Sequence, residues 1–172
     1  MLLALAVQAA IHVVPPVPET HVHPAPSSGL KVCPVEGVIP PELAGWRAMV
    51  PASAARNPVA IPVGTGVRAK LLPGGDVVYP VAPAKKGAPG TSGGVFVFEV
   101  ARAGRYRVAL GAGAWIDVVQ GSTVLQSKAH GHGPQCSPVR KMVDFDLAAG
   151  RHLLELSGAP SGTLALMVAK LG

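Results

Sequence analysis

From Gly94 to Lys170 the chain repeats one pattern, apolar residues at every second position followed by a turn. The runs are "GVFVFEV", "RYRVALG", "AWIDVVQ", "VRKMVDFDL", "RHLLELSG" and "TLALMVAK", and between them stand "RAGR", "GAG", "QGS", "AAGR" and "GAPSG". A period of two places alternate side chains on opposite faces of an extended segment, so these runs are strands and not helices. With "VRAKLL" and "VVYPV" upstream, the sequence predicts about eight short strands at the spacing of a sandwich. The 21 glycines and 18 prolines suit a fold that must reverse direction every few residues. With 49% hydrophobic residues in a chain of 172, there is material for one core. The expected fold is all-β, a single jelly-roll-like antiparallel sandwich.

Two segments echo one another. "FEVARAGRYRVALGAG" from Phe98 aligns with "FDLAAGRHLLELSGA" from Phe145, each running from an aromatic through an Ala-Gly turn to a basic residue and a new strand. The expectation is two equivalent hairpins, with Gly104 and Gly150 supplying a positive φ at the turns.

The N-terminus reads as an export signal. "MLLALAVQAA" is apolar and ends in small residues, with Val7 and Ala9 at the −3 and −1 positions of a signal-peptidase site. This divides the chain into a signal peptide over 1–10, a proline-rich extended linker over 11–28 and a β-sandwich domain over 29–172, with no transmembrane segment in the mature chain. A periplasmic or secreted location follows. In an oxidising compartment the two cysteines, Cys33 and Cys136, are expected to form a disulfide, closing a loop of about a hundred residues.

A formal charge of +6 raises the question of nucleic acid, but the fifteen Lys and Arg are scattered singly and in pairs without interleaved aromatics. That distribution describes a basic soluble surface and excludes nucleic acid as the partner. Nucleophilic catalysis has no support either. Ser122, Ser127 and Ser137 lie in turns without a strand-to-helix elbow, Cys136 is assigned to the disulfide, and the acidic residues do not pair across a groove. Trp46, Tyr79 and Trp115 are the candidate sugar platforms, although "AWIDVV" reads as a core strand and Trp46 as a plug at the sandwich edge.

The most polar stretch is "AHGHGPQCSPVRK". His130 and His132 are one residue apart, so on an extended segment both rings project to the same side, a donor pattern that suits copper or zinc. His21 and His23 repeat the spacing in "THVHP". Arg140 and Lys141 form a small cationic corner able to take a carboxylate or phosphate, and Asp117 or Arg140 is expected within reach of an imidazole used as ligand or base. No carboxylate follows His132 at cupin spacing, and the next is Asp144, so an iron-binding triad needs Asp117, Asp144 or His152 to converge in space.

The string "AGRYRVALGAGAWIDVVQGSTVL" resembles the middle strands of carbohydrate-binding-module and protective-antigen-type jelly rolls. The combination of "CP…GW", "AWIDVV", "HGHGPQC" and "RKMVDFDLAAG" resembles small exported bacterial proteins that carry the label homogentisate 1,2-dioxygenase. The second resemblance implies ferrous iron held by two histidines and a carboxylate. Taken together, the expectation is an exported protein with a non-catalytic binding or structural role toward a small molecule, a glycan or a cell-envelope component. The binding residues would be Asp117, His130, His132, Arg140 and Lys141. The alternative is a small metal-dependent oxidoreductase, dioxygenase-like, with copper, zinc or iron at His130 and His132.

Overall fold

Two six-stranded sheets face each other across a core of aliphatic and phenylalanine side chains in the computed structural model, which describes Cys33 and residues 37–172. The expected signal segment over 1–10, the expected linker over 11–28 and the His21/His23 pair lie outside the described residues. The strands are β1 (Val50–Ser53), β2 (Val59–Ala60), β3 (Val67–Lys70), β4 (Leu72–Pro73), β5 (Ser92–Val100), β6 (Gly104–Leu110), β7 (Trp115–Gln120), β8 (Thr123–Val124), β9 (Ser127–Gly131), β10 (Lys141–Leu147), β11 (Gly150–Ala159) and β12 (Thr163–Lys170). One sheet runs β1-β3-β12-β6-β10-β9; the other runs β2-β5-β11-β7-β8, with β4 also paired to β5.

The chain is therefore the all-β sandwich that the alternation predicts, with three differences. Among the described residues there are twelve strands in place of about eight: one expected run forms none, and five strands leave almost no periodic signal, the two-residue β2, β4 and β8 and the largely exposed β1 and β9. The sheets are mixed, since β1 pairs with β3 and β2 with β5 in parallel. Between β1 and β3 the chain visits the other sheet through β2, and that crossover lets the two strands run the same way. Third, "VVYPV" is no strand. Pro80 and Pro83 remove ladder donors, and residues 77–91 instead form a strap over the second sheet.

The alternation has a direct reading in the core. Phe96, Phe98 and Val100 of β5, Tyr106, Val108 and Leu110 of β6, Phe145 of β10, and Leu154 and Leu156 of β11 point into one cluster between the sheets. The near-continuous apolar run of β12 has a different cause. Its Met167 and Ala169, with Ala109 of β6, meet Ile39, Leu43 and Trp46 from the segment containing a 3-10 helix over Pro41–Arg47, so both faces of the sheet centre are buried. Trp46 is thus a plug, 4% exposed, and not a sugar platform.

The internal echo turns out to be a pair of corners. The chain passes from β5 in one sheet to β6 in the other, and again from β10 to β11, so "RAGR" and "AAGR" are crossings between sheets where hairpins were expected. The two units embrace: β5 pairs with β11 (Phe98 opposite His152) and β6 with β10 (Tyr106 opposite Phe145). The units run antiparallel with their sheets exchanged, so matching residues of the two segments occupy equivalent positions. Gly150, at φ 116°, adopts a backbone conformation that side-chain-bearing residues rarely take.

Candidate functional site

Between β8 and β9 the chain crosses from the second sheet to the first, and the edges it connects stand apart around a cleft of 430 Å³. Trp115, Asp117, Leu125, Gln126, His130 and Lys141 are among its lining residues, with Phe145 on the core side. Three of the five binding residues expected from the sequence, Asp117, His130 and Lys141, therefore share one cavity. His130 reaches it because β9 pairs with β10 so that His130 lies opposite Val143.

Trp115 dominates the cleft wall. Its strand buries Ile116 and Val118 inward, which turns Trp115 to the other face, 38% exposed and the most exposed aromatic side chain among the described residues. The indole Nε1 donates to Asp117 Oδ1 at 3.0 Å, and Asp117 Oδ2 accepts from the Ala84 backbone N–H at 2.9 Å. Asp117 thus fixes the indole and anchors the strap. Lys141 Nζ donates to Ala114 O at 2.6 Å and lies 5.4 Å from the centre of the Trp115 ring, while Lys85 Nζ lies 5.7 Å from it. Both distances fall in the range of cation–π attraction. Burial, then the nearby Lys85 charge, pushes the Lys141 ammonium below its ordinary pKa, with Asp117 acting in the opposite direction.

The strap that delivers Lys85 is fastened at several points. Tyr79 Oη donates to Leu156 O at 2.9 Å, Val81 N to Glu155 Oε1 at 3.3 Å, and Ser157 Oγ to Lys85 O at 2.6 Å. Under it, Glu155 of β11 stands directly across from Asp117 of β7. Burial raises the Glu155 pKa; the Val81 N–H acts against this and the facing Asp117 adds to it. The Tyr79 phenol is also raised, first by burial and then by Glu155 and Asp117.

The other sequence candidates are dispersed. Cys33 and Cys136 are joined, a disulfide spanning 103 residues, and the Gly37 N–H donates to Cys136 O at 2.8 Å, which ties the N-terminal segment to the loop before β10. His132 Nδ1 faces Arg140 O at 3.3 Å, a bond in which the ring N–H donates, so this ring turns to backbone. Arg140 is exposed. Asp144 binds the Arg107 guanidinium through both oxygens, at 2.8 and 2.9 Å, and Arg107 also reaches Glu42 at 2.6 Å. His152 is 1% exposed in the core, with its ring stacked near Phe98 at 5.6 Å.

These positions bear on iron. Asp117 is held by Trp115 and Ala84, Asp144 by Arg107, and His152 is enclosed, and among the described residues no three His, Cys, Asp or Glu side chains converge. The residues do not fit a two-histidine, one-carboxylate iron site. Sequence reasoning missed Lys85 and Lys86, since "APAKKGAPG" carries only turn signals and nothing in it points to Trp115 thirty residues on. No protein-family model matches the chain, and no curated protein is significantly similar to it.

Proposed function

We propose that the chain is an exported, non-catalytic binding module that holds a glycan or small molecule of the cell envelope at the cleft around Trp115. The observation that carries this reading is the indole itself, exposed at the mouth of a cavity yet locked by its bond to Asp117. A rigid aromatic surface with a polar edge binds sugar rings at little entropic cost. Lys141, His130 and Gln126 supply polar groups that orient a ligand, as binding cavities require. Export is supported by the long-range disulfide, a bond typical of oxidising compartments, and no helix among the described residues is long and apolar enough to cross a membrane.

The test is retention of the full chain on an array of bacterial envelope glycans, repeated with Trp115→Ala. The expected result is a retained subset that the variant loses, with Tm changed by no more than about 2 °C, as for a surface substitution. Retention that ignores the substitution, or no retention of any glycan, refutes the reading.

A further inference from the structure

Beside the cleft, and sharing Trp115 and Lys141 as its wall, lies a second hollow of 420 Å³. Lys85, Lys86 and Lys141 line it, together with Trp115, Thr91 and Ser157, and no Asp or Glu does. Three ammonium groups around one cavity repel each other. Among the described residues none of the three forms an ion pair, although Arg105, Arg107 and Lys128 all do. Asp117, whose charge acts on Lys141, has one oxygen bonded to Trp115 and the other to Ala84. Lys141 is half-buried, and its one bond, to Ala114 O, leaves two donors to offer.

We infer that this hollow is an acid-group subsite, and that the ligand of the Trp115 cleft is an acidic sugar whose carboxylate is held by Lys85, Lys86 and Lys141 while the rest of the glycan lies along Trp115. The inference rests on the binding reading above and narrows it to a ligand class. An anion there relieves the repulsion among the lysines and restores to Lys141 the charge stabilisation that burial removes. Ser157 and Thr91 bring hydroxyl groups to the same hollow, although each already donates to backbone, Ser157 to Lys85 O and Thr91 to Ala88 O. Their oxygens remain acceptors for the hydroxyls of a sugar.

Isothermal calorimetry on the full, oxidised chain tests this with three probes: a trimer of galacturonic acid, a neutral galactose trimer and inorganic phosphate. The acidic trimer is expected to bind about tenfold or more tightly than the neutral one, the yield of one charge-assisted hydrogen bond. That advantage should shrink as NaCl rises. Lys85→Met with Lys86→Met, both exposed in the strap and outside any ion pair among the described residues, should bring the ratio of acidic-trimer to neutral-trimer affinity down to about one, whatever the change in neutral binding. Equal binding of the two trimers, or a preference that survives the double substitution, overturns the inference while leaving the cleft reading intact. Phosphate binding as tight as that of the acidic trimer and indifferent to Trp115→Ala shows a general anion site, and also overturns it. Absence of binding by every probe removes the inference, while the cleft reading stands or falls with the envelope-glycan array and its Trp115→Ala control.

Discussion

Glu155→Gln should make the protein more stable at pH 8 and leave it unchanged at pH 4. Glu155 is 1% exposed; its Oε1 accepts from Val81 N at 3.3 Å, its Oε2 has no hydrogen-bond partner among the described residues, and Asp117 stands opposite it in the ladder. Because burial, opposed by Val81 N–H and reinforced by Asp117, raises its pKa above 4.5, the native state holds this proton more tightly than the unfolded chain does. Stability from this group is full below the unfolded value and is lost as pH rises through the raised native value, the reverse of an ordinary salt-bridged carboxylate. Glutamine keeps a carbonyl for Val81 and places its amide beside Asp117, which has acceptor capacity left. The penalty removed is that of a buried polar atom without a partner, about 1 to 3 kcal/mol. In a domain of this size that is roughly 3 °C of Tm for each kcal/mol. Calorimetric or circular-dichroism melts of both proteins at pH 4, 6 and 8 measure it. A glutamine variant no more stable than the parent at pH 8, or a gain equally large at pH 4, would refute the reasoning.

Replacing Cys33 and Cys136 together with serine should cost up to ~4.7 kcal/mol, the entropy of a loop near a hundred residues; a loss below about 1 kcal/mol in denaturant melts contradicts that tether. Arg107→Met should cost roughly 1.5 to 3 kcal/mol because it strands Asp144, only 7% exposed, and the loss should persist in 0.5 M salt. Arg105→Met, whose partner Asp146 is half-exposed, should cost clearly less than Arg107→Met, and that small loss should fade in 0.5 M salt. Equal losses for the two arginines would remove the distinction. Gly87→Ala should loosen the strap, since a Cβ there would sit 2.7 Å from the Gly158 backbone and against Thr91 Oγ1. Hydrogen exchange in residues 77–91 should quicken while that of β11 is retained, and unchanged exchange in the strap would show that it yields without detaching.

The legible parts of this fold are those where burial follows the backbone period. Phe96, Phe98 and Val100, or Val143, Phe145 and Leu147, announce their faces because a strand with one face in the core must alternate. The corners after Val100 and Leu147 were not legible as corners. A glycine turn reads the same whether the next strand returns beside the last or crosses to the facing sheet, and only pairing with β10 and β11 decides it. "VVYPV" alternates like a strand yet has no ladder partner. Trp115 looked like core because its neighbours are, although Ile116 and Val118 already imply that it points the other way. His130 and Lys141 could be picked out as polar groups near a strand end. The meeting of Lys141 with Lys85 depends on a strap whose course is set by bonds to Asp117, Glu155, Leu156 and Ser157, contacts of 33 to 77 residues in sequence that no local pattern records.

The embrace of the two corner units also fixes when the protein can begin to exist as a folded object. As synthesis proceeds, β6 emerges with no neighbour available in its sheet, for its partners are β10 and β12, both made later. The long partner of β5 is β11, about fifty residues further on. Until β12 arrives, the first sheet is in two fragments, β1 with β3 and β6 with β10 and β9, and β12 is the strand that joins them. A wiring dominated by late, distant pairings delays collapse into native structure. The nascent polypeptide therefore stays threadable for most of its own synthesis, since the pairings that close its two sheets are made last.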